Sequence, residues 1–343
     1  MRVTIRQVAE QAGVSKTTVS KILVGRHERI PVQTRERVLG VVKEMGYVPV
    51  RTALQNRHVP TRVLALPIDD VETLQLPIHT QTYFGICAGA VRHGYDVLTL
   101  LRTDSNWVDD RKELRFLDRR SDGVIFDSSV LWDTRADLEA LRHHEVPTMV
   151  CYSRDVPEGV GWVDPDNEGA MRGAVEYLVQ KGHRGIAFLT VEEPPTSTTY
   201  FDKGERLRYF REAVHSHDLH ECADWVFSYW YHEVPLELPQ RILDLGATAV
   251  VCVNDGFAIE LMQAAQASGV SIPGDLSIIG VDNADAEQWS LTSMGFSFQE
   301  VGRRAVDGLV NLLAGGPVEE SRLVIPVQRY ERQSVKDVRH NRT

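Results

Sequence analysis

Long apolar runs are missing from this 343-residue sequence. None approaches the length that spans a bilayer, and the opening Met1-Arg2-Val3-Thr4 lacks the apolar segment of an export signal. Cysteine is scarce: Cys87, Cys151, Cys222 and Cys252 are widely separated, which excludes a disulfide framework and a close-spaced zinc set. Buried thiols in a cytoplasmic protein without a membrane partner are the expectation. Catalytic signatures are missing too, with no Gly-x-Ser-x-Gly elbow, no phosphate-binding Walker loop and no Gly-x-Gly-x-x-Gly turn. His144-Glu145 and His232-Glu233 lack the second histidine four residues on that a zinc protease needs. His215, His217, His220 and Cys222 crowd together, but their spacing fits no firm zinc pattern and suits a polar helix end. No metal, no cofactor and no enzymatic chemistry are expected. The tail after Val335 carries no leucine heptads, so a dimer rather than a tetramer held by a coiled coil is expected.

What is present divides sharply by charge. Residues 1–62 hold twelve Lys and Arg against four Asp and Glu, while the whole chain has a net charge of −10. A small cationic unit suited to phosphate therefore precedes a large anionic body.

In the cationic part, Ile5, Val8, Ala9 and Ala12 follow the spacing of one helical face, and Thr4 with Gln7 forms a capping-box signature before them. Gly13 interrupts as a residue that tolerates positive φ. Ser15 can cap a second helix whose inner face is Val19, Ile22 and Leu23, and a third helix over 32–45 closes the bundle with Val38, Val41, Val42 and Met45. Two short helices around a glycine turn make a helix-turn-helix, although a generic three-helix bundle fits the same periodicity. Lys16, Thr17 and Lys21 stand on the exposed face of the second helix, whose N-terminal side chains would face base edges.

After Arg62, short β-branched runs alternate with helical stretches. Strands are expected at 63–67, 96–101, 123–126, 148–152, 186–190, 225–230, 249–253 and 277–281, and helices between them include 168–181 and 257–268. Continuously apolar strands alternating with helices indicate parallel sheets covered on both faces. The fold class is α/β: an all-helical head followed by two doubly wound halves. Ligands of such sheets gather beyond the carboxyl ends of the strands. Polar residues stand there, namely Asp69, Asp70, Asp127, Ser153, Arg154, Asn254, Asp255, Asp282 and Asn283, although loops are polar for other reasons too.

The run from Thr4 to Ser20, then Thr34-Arg35-Glu36-Arg37-Val38 and Gly46-Tyr47-Val48-Pro49, closely resembles the headpiece of the lactose-repressor/galactose-repressor family. Farther on, Gly85-Ile86, Arg92-His93-Gly94-Tyr95 and Ser121-Asp122-Gly123-Val124-Ile125 look like the first half of that family's periplasmic-binding-protein-like core. Gly182-His183-Arg184-Gly185-Ile186-Ala187, Val253-Asn254-Asp255 and the run from Ser271 to Asp282 resemble the second half. Leu291-Thr292-Ser293 and Gly302-Arg303-Arg304-Ala305 match the return to the first.

The resemblance implies a helix-turn-helix domain at 1–48 and a hinge at 49–61. It implies a core N-subdomain at 62–162 plus 293–323 and a C-subdomain at 163–292 plus 324–343. It implies a DNA-binding regulator, most simply a repressor, acting as a homodimer on a near-palindromic duplex operator under control of a small-molecule effector, a sugar or derivative. Lys16, Thr17 and Lys21 would read bases. Ser15, Thr18 and Ser20 would chiefly hold phosphates, which position without specifying, and Thr4 and Arg29 would belong to the same DNA-contacting set.

The family's hinge pushes a leucine into the minor groove. Here Asn56 holds that register, and Leu54, two residues earlier, lies on nearly the opposite helical face. Val24 and Pro31 depart from a frequent asparagine and a frequent capping serine.

By position, effector contacts fall on Ile78, His79, Asp127, Tyr152, Arg206, Trp230, Asn254 and Asp282. Carboxylates and amides satisfy hydroxyls, arginine offers a fork of donors, and aromatic faces cover apolar ring edges. Arg206 also fits a solvated face with Arg208 and Arg211, and Trp230 also fits lid or core packing with Trp225, Tyr229 and Tyr231. Tyr152 replaces a frequent aspartate, which points away from a simple hexose. A nucleoside or purine effector, and a sugar-binding protein without regulatory output, are the alternatives.

Overall fold

The computed structural model describes residues 3–23, 30–45, 47, 60–68, 74–101, 120–127, 135–192 and 201–339, the side chains of 201–203 excepted. The expectations placed on Val24, Arg29, Leu54, Asn56, Asp69 and Asp70 lie outside those residues. The chain divides into two units, residues 1–62 with 118–122 and the remainder.

The first unit contains three helices, α1 (Ile5–Ala12), α2 (Lys16–Leu23) and α3 (Val32–Glu44). Thr4 and Gln7 form the reciprocal cap that their spacing predicts. Gly13 ends α1 with φ at 60°, a left-handed conformation in which its amide donates back to Ala9 and Glu10. Ser15 accepts from the Thr18 amide at 3.1 Å and so starts α2. Pro31 precedes α3 and supplies no side-chain cap. The core is Val8, Ala9, Ala12, Val19, Ile22 and Val38, with Leu23, Val41, Val42 and Met45 packed around it.

The second unit is built on two six-stranded sheets. In the first sheet β1 (Val63–Ile68), β2 (Asp96–Leu101), β3 (Gly123–Asp127), β4 (Thr148–Cys151), β5 (Gly161–Pro165) and β11 (Arg322–Ile325) lie in the order β11-β5-β4-β3-β1-β2, all parallel. In the second, β6 (Ile186–Val191), β7 (Val226–Tyr229), β8 (Ala249–Cys252), β9 (Ser277–Asp282), β10 (Thr292–Gly295) and β12 (Gln328–Tyr330) lie in the order β12-β10-β9-β8-β6-β7. Only the pairing of β12 with β10 is antiparallel there.

All eight strands expected from sequence form. Four more, β5, β10, β11 and β12, do not stand out in the sequence, because Gly161-Trp162-Val163-Asp164-Pro165 and its counterparts are short and mixed in polarity. They are the strands beside the three crossings between lobes. Strands continue to Pro165, Gly295 and Ile325, past the boundaries expected at 162, 292 and 323, because parallel pairing such as Ile325 with Pro165 holds the chain in its sheet.

Helices α4 (Pro77–His93), α5 (Arg135–His143), α6 (Asn167–Gln180), α7 (Phe201–Ser216), α8 (Leu238–Asp244), α9 (Asp255–Ser268) and α10 (Phe298–Leu313) cover the sheets. Asp166, Asn254 and Ser297 cap α6, α9 and α10 through their side chains. Helices α4 and α10 touch backbone to backbone: a Cβ on Gly302 would meet the Thr82 carbonyl, and one on Gly85 would meet the Gln299 carbonyl. Two of the family-like motifs in the sequence are thus the points of closest helix approach. Among the described residues, no helix is long and apolar enough to cross a membrane.

Candidate functional site

In the first unit, α2 turns Val19 and Ile22 inward and leaves Lys16, Thr17 and Lys21 exposed. Two cations and a small hydroxyl therefore share an outward surface at a helix whose start is capped. Not every hydroxyl expected to contact DNA is unengaged. That of Thr4 donates to Gln7 Oε1 at 3.0 Å and accepts from the Gln7 amide, so the helix start uses it fully. Ser15 and Thr18 hydroxyls meet at 2.9 Å, which leaves one proton of the pair for an outside acceptor. Ser20 is half-buried.

In the second unit, Arg206 is the centre of the constellation. It is buried on α7, whereas Arg208 on the same helix is exposed and pairs with Glu212 at 2.7 Å. Burial separates Arg206 from the solvated face that the sequence left open for it. Its Nε–H donates to Asn167 Oδ1 at 2.8 Å, one terminal nitrogen to the Val253 carbonyl at 2.7 Å, and the other to Asp282 Oδ1 at 2.8 Å. Asp282 ends β9 with φ at 99°. Asn254 caps α9 by accepting from the Phe257 amide at 3.0 Å, and its Nδ2 donates to the Tyr231 hydroxyl. The Tyr231 ring lies 4.5 Å from that of Phe257. Among the described residues, the aromatic brought to Asn254 is thus Tyr231. Its neighbour Trp230 is 37% exposed.

The first lobe contributes from α4, β3 and β4. His79 Nδ1 lies 2.8 Å from Asp127 Oδ2, and since a carboxylate only accepts, that nitrogen carries the proton. Both side chains are nearly buried. Thr82 donates to the Ile78 carbonyl at 2.6 Å, which makes it the acceptor for the Tyr152 hydroxyl. Tyr152 is buried with φ at 65° and packs 6.3 Å from Phe296, beside the second crossing. Burial raises the Tyr152 phenol well above its ordinary range, with Asp127 and then Asp282 of the other lobe adding to the shift. The ends of β3, β4 and β9 therefore meet around this ring.

Several participants are not obvious in the sequence. Asn167 and Thr82 are not among the residues that the sequence singles out. Asp255 is buried, its carboxyl raised by burial and by Asp282, and it accepts from Ser293 Oγ at 2.7 Å. At the first crossing Arg154 pairs with Asp164 at 2.6 Å, and burial outweighs that pairing to push the Asp164 carboxyl up to about 6. Asp255 and Arg154 stand among the polar residues beyond the strand ends in the sequence, whereas for Asp164 and Asn167 the signal is topological, since β5 itself does not stand out there. The histidine cluster is local: the His215 and His220 rings are 5.3 Å apart, and Cys222 is engaged with Arg184 and Ile186 backbone.

Two families match the chain, "Bacterial regulatory proteins, lacI family" over residues 4–50 and "Periplasmic binding protein-like domain" over residues 175–335. A relative named HTH-type transcriptional repressor PurR, from Vibrio cholerae serotype O1 (strain M66-2), is 29% identical over 347 residues, covering 98% of each chain. The solved structure titled transcriptional regulator CelR-cellobiose complex is 26% identical, with a TM-score of 0.67 over 97% of this chain and 100% of that one. The lac repressor dimer bound to operator and the anti-inducer ONPF is 24% identical, with a TM-score of 0.75 over 98% and 100%, and shows likeness of fold.

Proposed function

We propose that this chain, which belongs to the lacI family of bacterial regulatory proteins, is a homodimeric transcriptional repressor whose hold on a near-palindromic operator is set by a small molecule bound between the lobes of its core. It is a transcriptional regulator rather than an enzyme, as its relatives are. The observation that carries the reading is the pairing, on one short helix, of a buried Val19–Ile22 face with an exposed Lys16, Thr17 and Lys21 face. A helix so placed offers donors to base edges and leaves its bundle intact. A two-fold operator requires a two-fold protein. Phe84 and Val91, exposed on one face of α4, offer a second copy an apolar surface. Replacing Phe84 with glutamate should shift the full chain from dimer to monomer in sedimentation.

The effector site is the set Arg206, Asp282, Asn254, Asp127, His79 and Tyr152, with Ile78 and Trp230 at its margin. A carbohydrate suits it, because a buried guanidinium beside carboxylates and an amide answers paired hydroxyls. The solved complex of CelR with cellobiose supports that chemistry. A purine is the second reading, favoured by the relatives named PurR and by aromatic Tyr152 at a cleft position expected to hold aspartate. Thermal-shift titration of the full chain with cellobiose and with hypoxanthine separates them. Stabilisation by cellobiose alone supports the sugar, and stabilisation by hypoxanthine alone replaces it with the purine. A ligand changes DNA affinity only if it prefers one lobe arrangement over another.

A further inference from the structure

At least three groups hold the Arg206 guanidinium, and they are not equivalent. Asp282 and the Val253 carbonyl take the terminal nitrogens, while Asn167 takes the Nε edge, next to the stem. A competitor is close. Asp164, fully buried on β5, is paired through Oδ2 with Arg154 at 2.6 Å, while its Oδ1 has no hydrogen-bond partner among the described residues, and the charge of Arg206 acts on it with that of Arg154 against burial. A buried carboxylate with an unanswered oxygen attracts the fork strongly. With the Nε edge released, the guanidinium could turn from Asp282 toward Asp164.

Asn167 is built to prevent this. It is the first residue of α6, directly after the first crossing between lobes, and it is buried. Its backbone is fixed on both sides: Asp166 caps α6 through the Gly169 amide at 2.9 Å, and the Asp166 amide donates to the Ile325 carbonyl of the third crossing at 2.9 Å. An amide oxygen accepts the Nε–H without adding charge, so the positive charge of Arg206 stays available to Asp282 and to a ligand. Among the described residues the Nδ2 of Asn167 has no hydrogen-bond partner, so the contact to Arg206 is made through the amide oxygen.

We propose that Asn167 is the positioning residue of this site, holding the Nε edge of Arg206 so that the guanidinium faces Asp282 rather than Asp164. The consequence for ligand binding rests on the reading of Arg206 as an effector contact. The positioning itself does not. It also ties Arg206 by one hydrogen bond to the residue that follows the first crossing between the lobes.

The test is the Nε–H spectrum of the full chain labelled with 15N-arginine. The wild type should give a slowly exchanging Arg206 signal, identified by its disappearance in Arg206→Lys. Asn167→Ala should lose that slow signal while keeping a cooperative melt, and Asn167→Asp, which retains an acceptor oxygen, should keep it. A slow signal persisting in Asn167→Ala, or vanishing in a folded Asn167→Asp, overturns the inference. Affinity for whichever of cellobiose and hypoxanthine binds should fall about tenfold in Asn167→Ala, as for losing one hydrogen bond to a charged group. If Arg206→Lys leaves both titrations unchanged, the effector reading fails while the Nε–H result stands, so the two failures are separable.

Discussion

Arg206 and Asp282 form an ion pair at 2.8 Å with both side chains nearly buried, and Asp282 makes it from a backbone with φ at 99°. A non-glycine residue held there costs on the order of 1 kcal/mol, which the surrounding structure must offset. The ion pair is part of that offset, so one residue carries both backbone strain and a buried charge pair.

Removing the carboxylate takes away the charge paired with a buried guanidinium at 2.8 Å. Asp282→Ala should therefore lose about 3 kcal/mol in urea unfolding. Asp282→Asn, which keeps an acceptor oxygen and suits positive φ, should lose clearly less. Equal losses in the two variants would mean that the pair contributes nothing beyond packing.

Thr4 offers a test confined to the small helical unit. Its hydroxyl is fully engaged with Gln7, so Thr4→Ala should cost about 1 kcal/mol of that unit's stability. Thr4→Ser should restore most of it. Faster amide exchange over residues 5–8 in Thr4→Ala is the readout. Unchanged exchange with weakened DNA binding would move Thr4 from cap to phosphate contact.

Two buried groups give the core opposite responses to acid. His183 donates from Nε2 to the Lys336 carbonyl at 3.0 Å, and burial lowers its pKa below the ordinary 6.5. The unfolded chain then takes up the proton first, so this contribution is present above 6.5 and is lost as pH falls through the lowered folded value. Asp164 runs the other way. Its carboxyl is raised to about 6 by burial, so its contribution is full below the unfolded value of 3.8 and is lost as pH rises through about 6. In urea titrations between pH 7.5 and 5, His183→Gln should lose less stability on acidification than the wild type. Asp164→Asn should lose more. Parallel curves for all three would contradict both assignments.

Gly302 tests the helix contact beneath the first sheet. A Cβ there would press on the Thr82 carbonyl and the Ile86 amide, neither of which is the end of a flexible side chain. Gly302→Ala should destabilise the core by about 1–3 kcal/mol through overpacking. Gly315→Ala shows, by contrast, whether simple glycine loss matters, because nothing lies within 4 Å of its added Cβ and φ alone, at 81°, opposes it.

The head was legible nearly residue by residue. Thr4, Gln7, Gly13 and Ser15 act through local geometry, and local geometry is written in adjacent residues. The eight apolar strands were legible for the same reason. What escaped were β5, β10, β11 and β12, whose pairing partners lie far along the chain, as Arg322 with Trp162 shows. With β5 unseen, the Arg154–Asp164 pair had no location, and Asn167 could not be placed beside an arginine 39 positions away. Arg206 itself was anticipated only by resemblance, since its sequence neighbours Arg208 and Arg211 argue for a charged surface. Tyr231 rather than Trp230 meets Asn254 because β7 ends at Tyr229, and the turn after it decides which ring swings inward.

Under the proposed function, the cationic face of α2 holds duplex DNA. This is tested most directly by fluorescence anisotropy of the full chain on a duplex that it selects from a random-sequence pool, repeated as salt rises. Affinity should fall steeply and linearly on logarithmic axes, with a slope shallower by about one in a variant that loses a phosphate contact. Lys16→Ala and Lys21→Ala should weaken binding while leaving the melting temperature in place, because both side chains are exposed. A salt-independent affinity, or wild-type affinity in the double variant, would contradict the account.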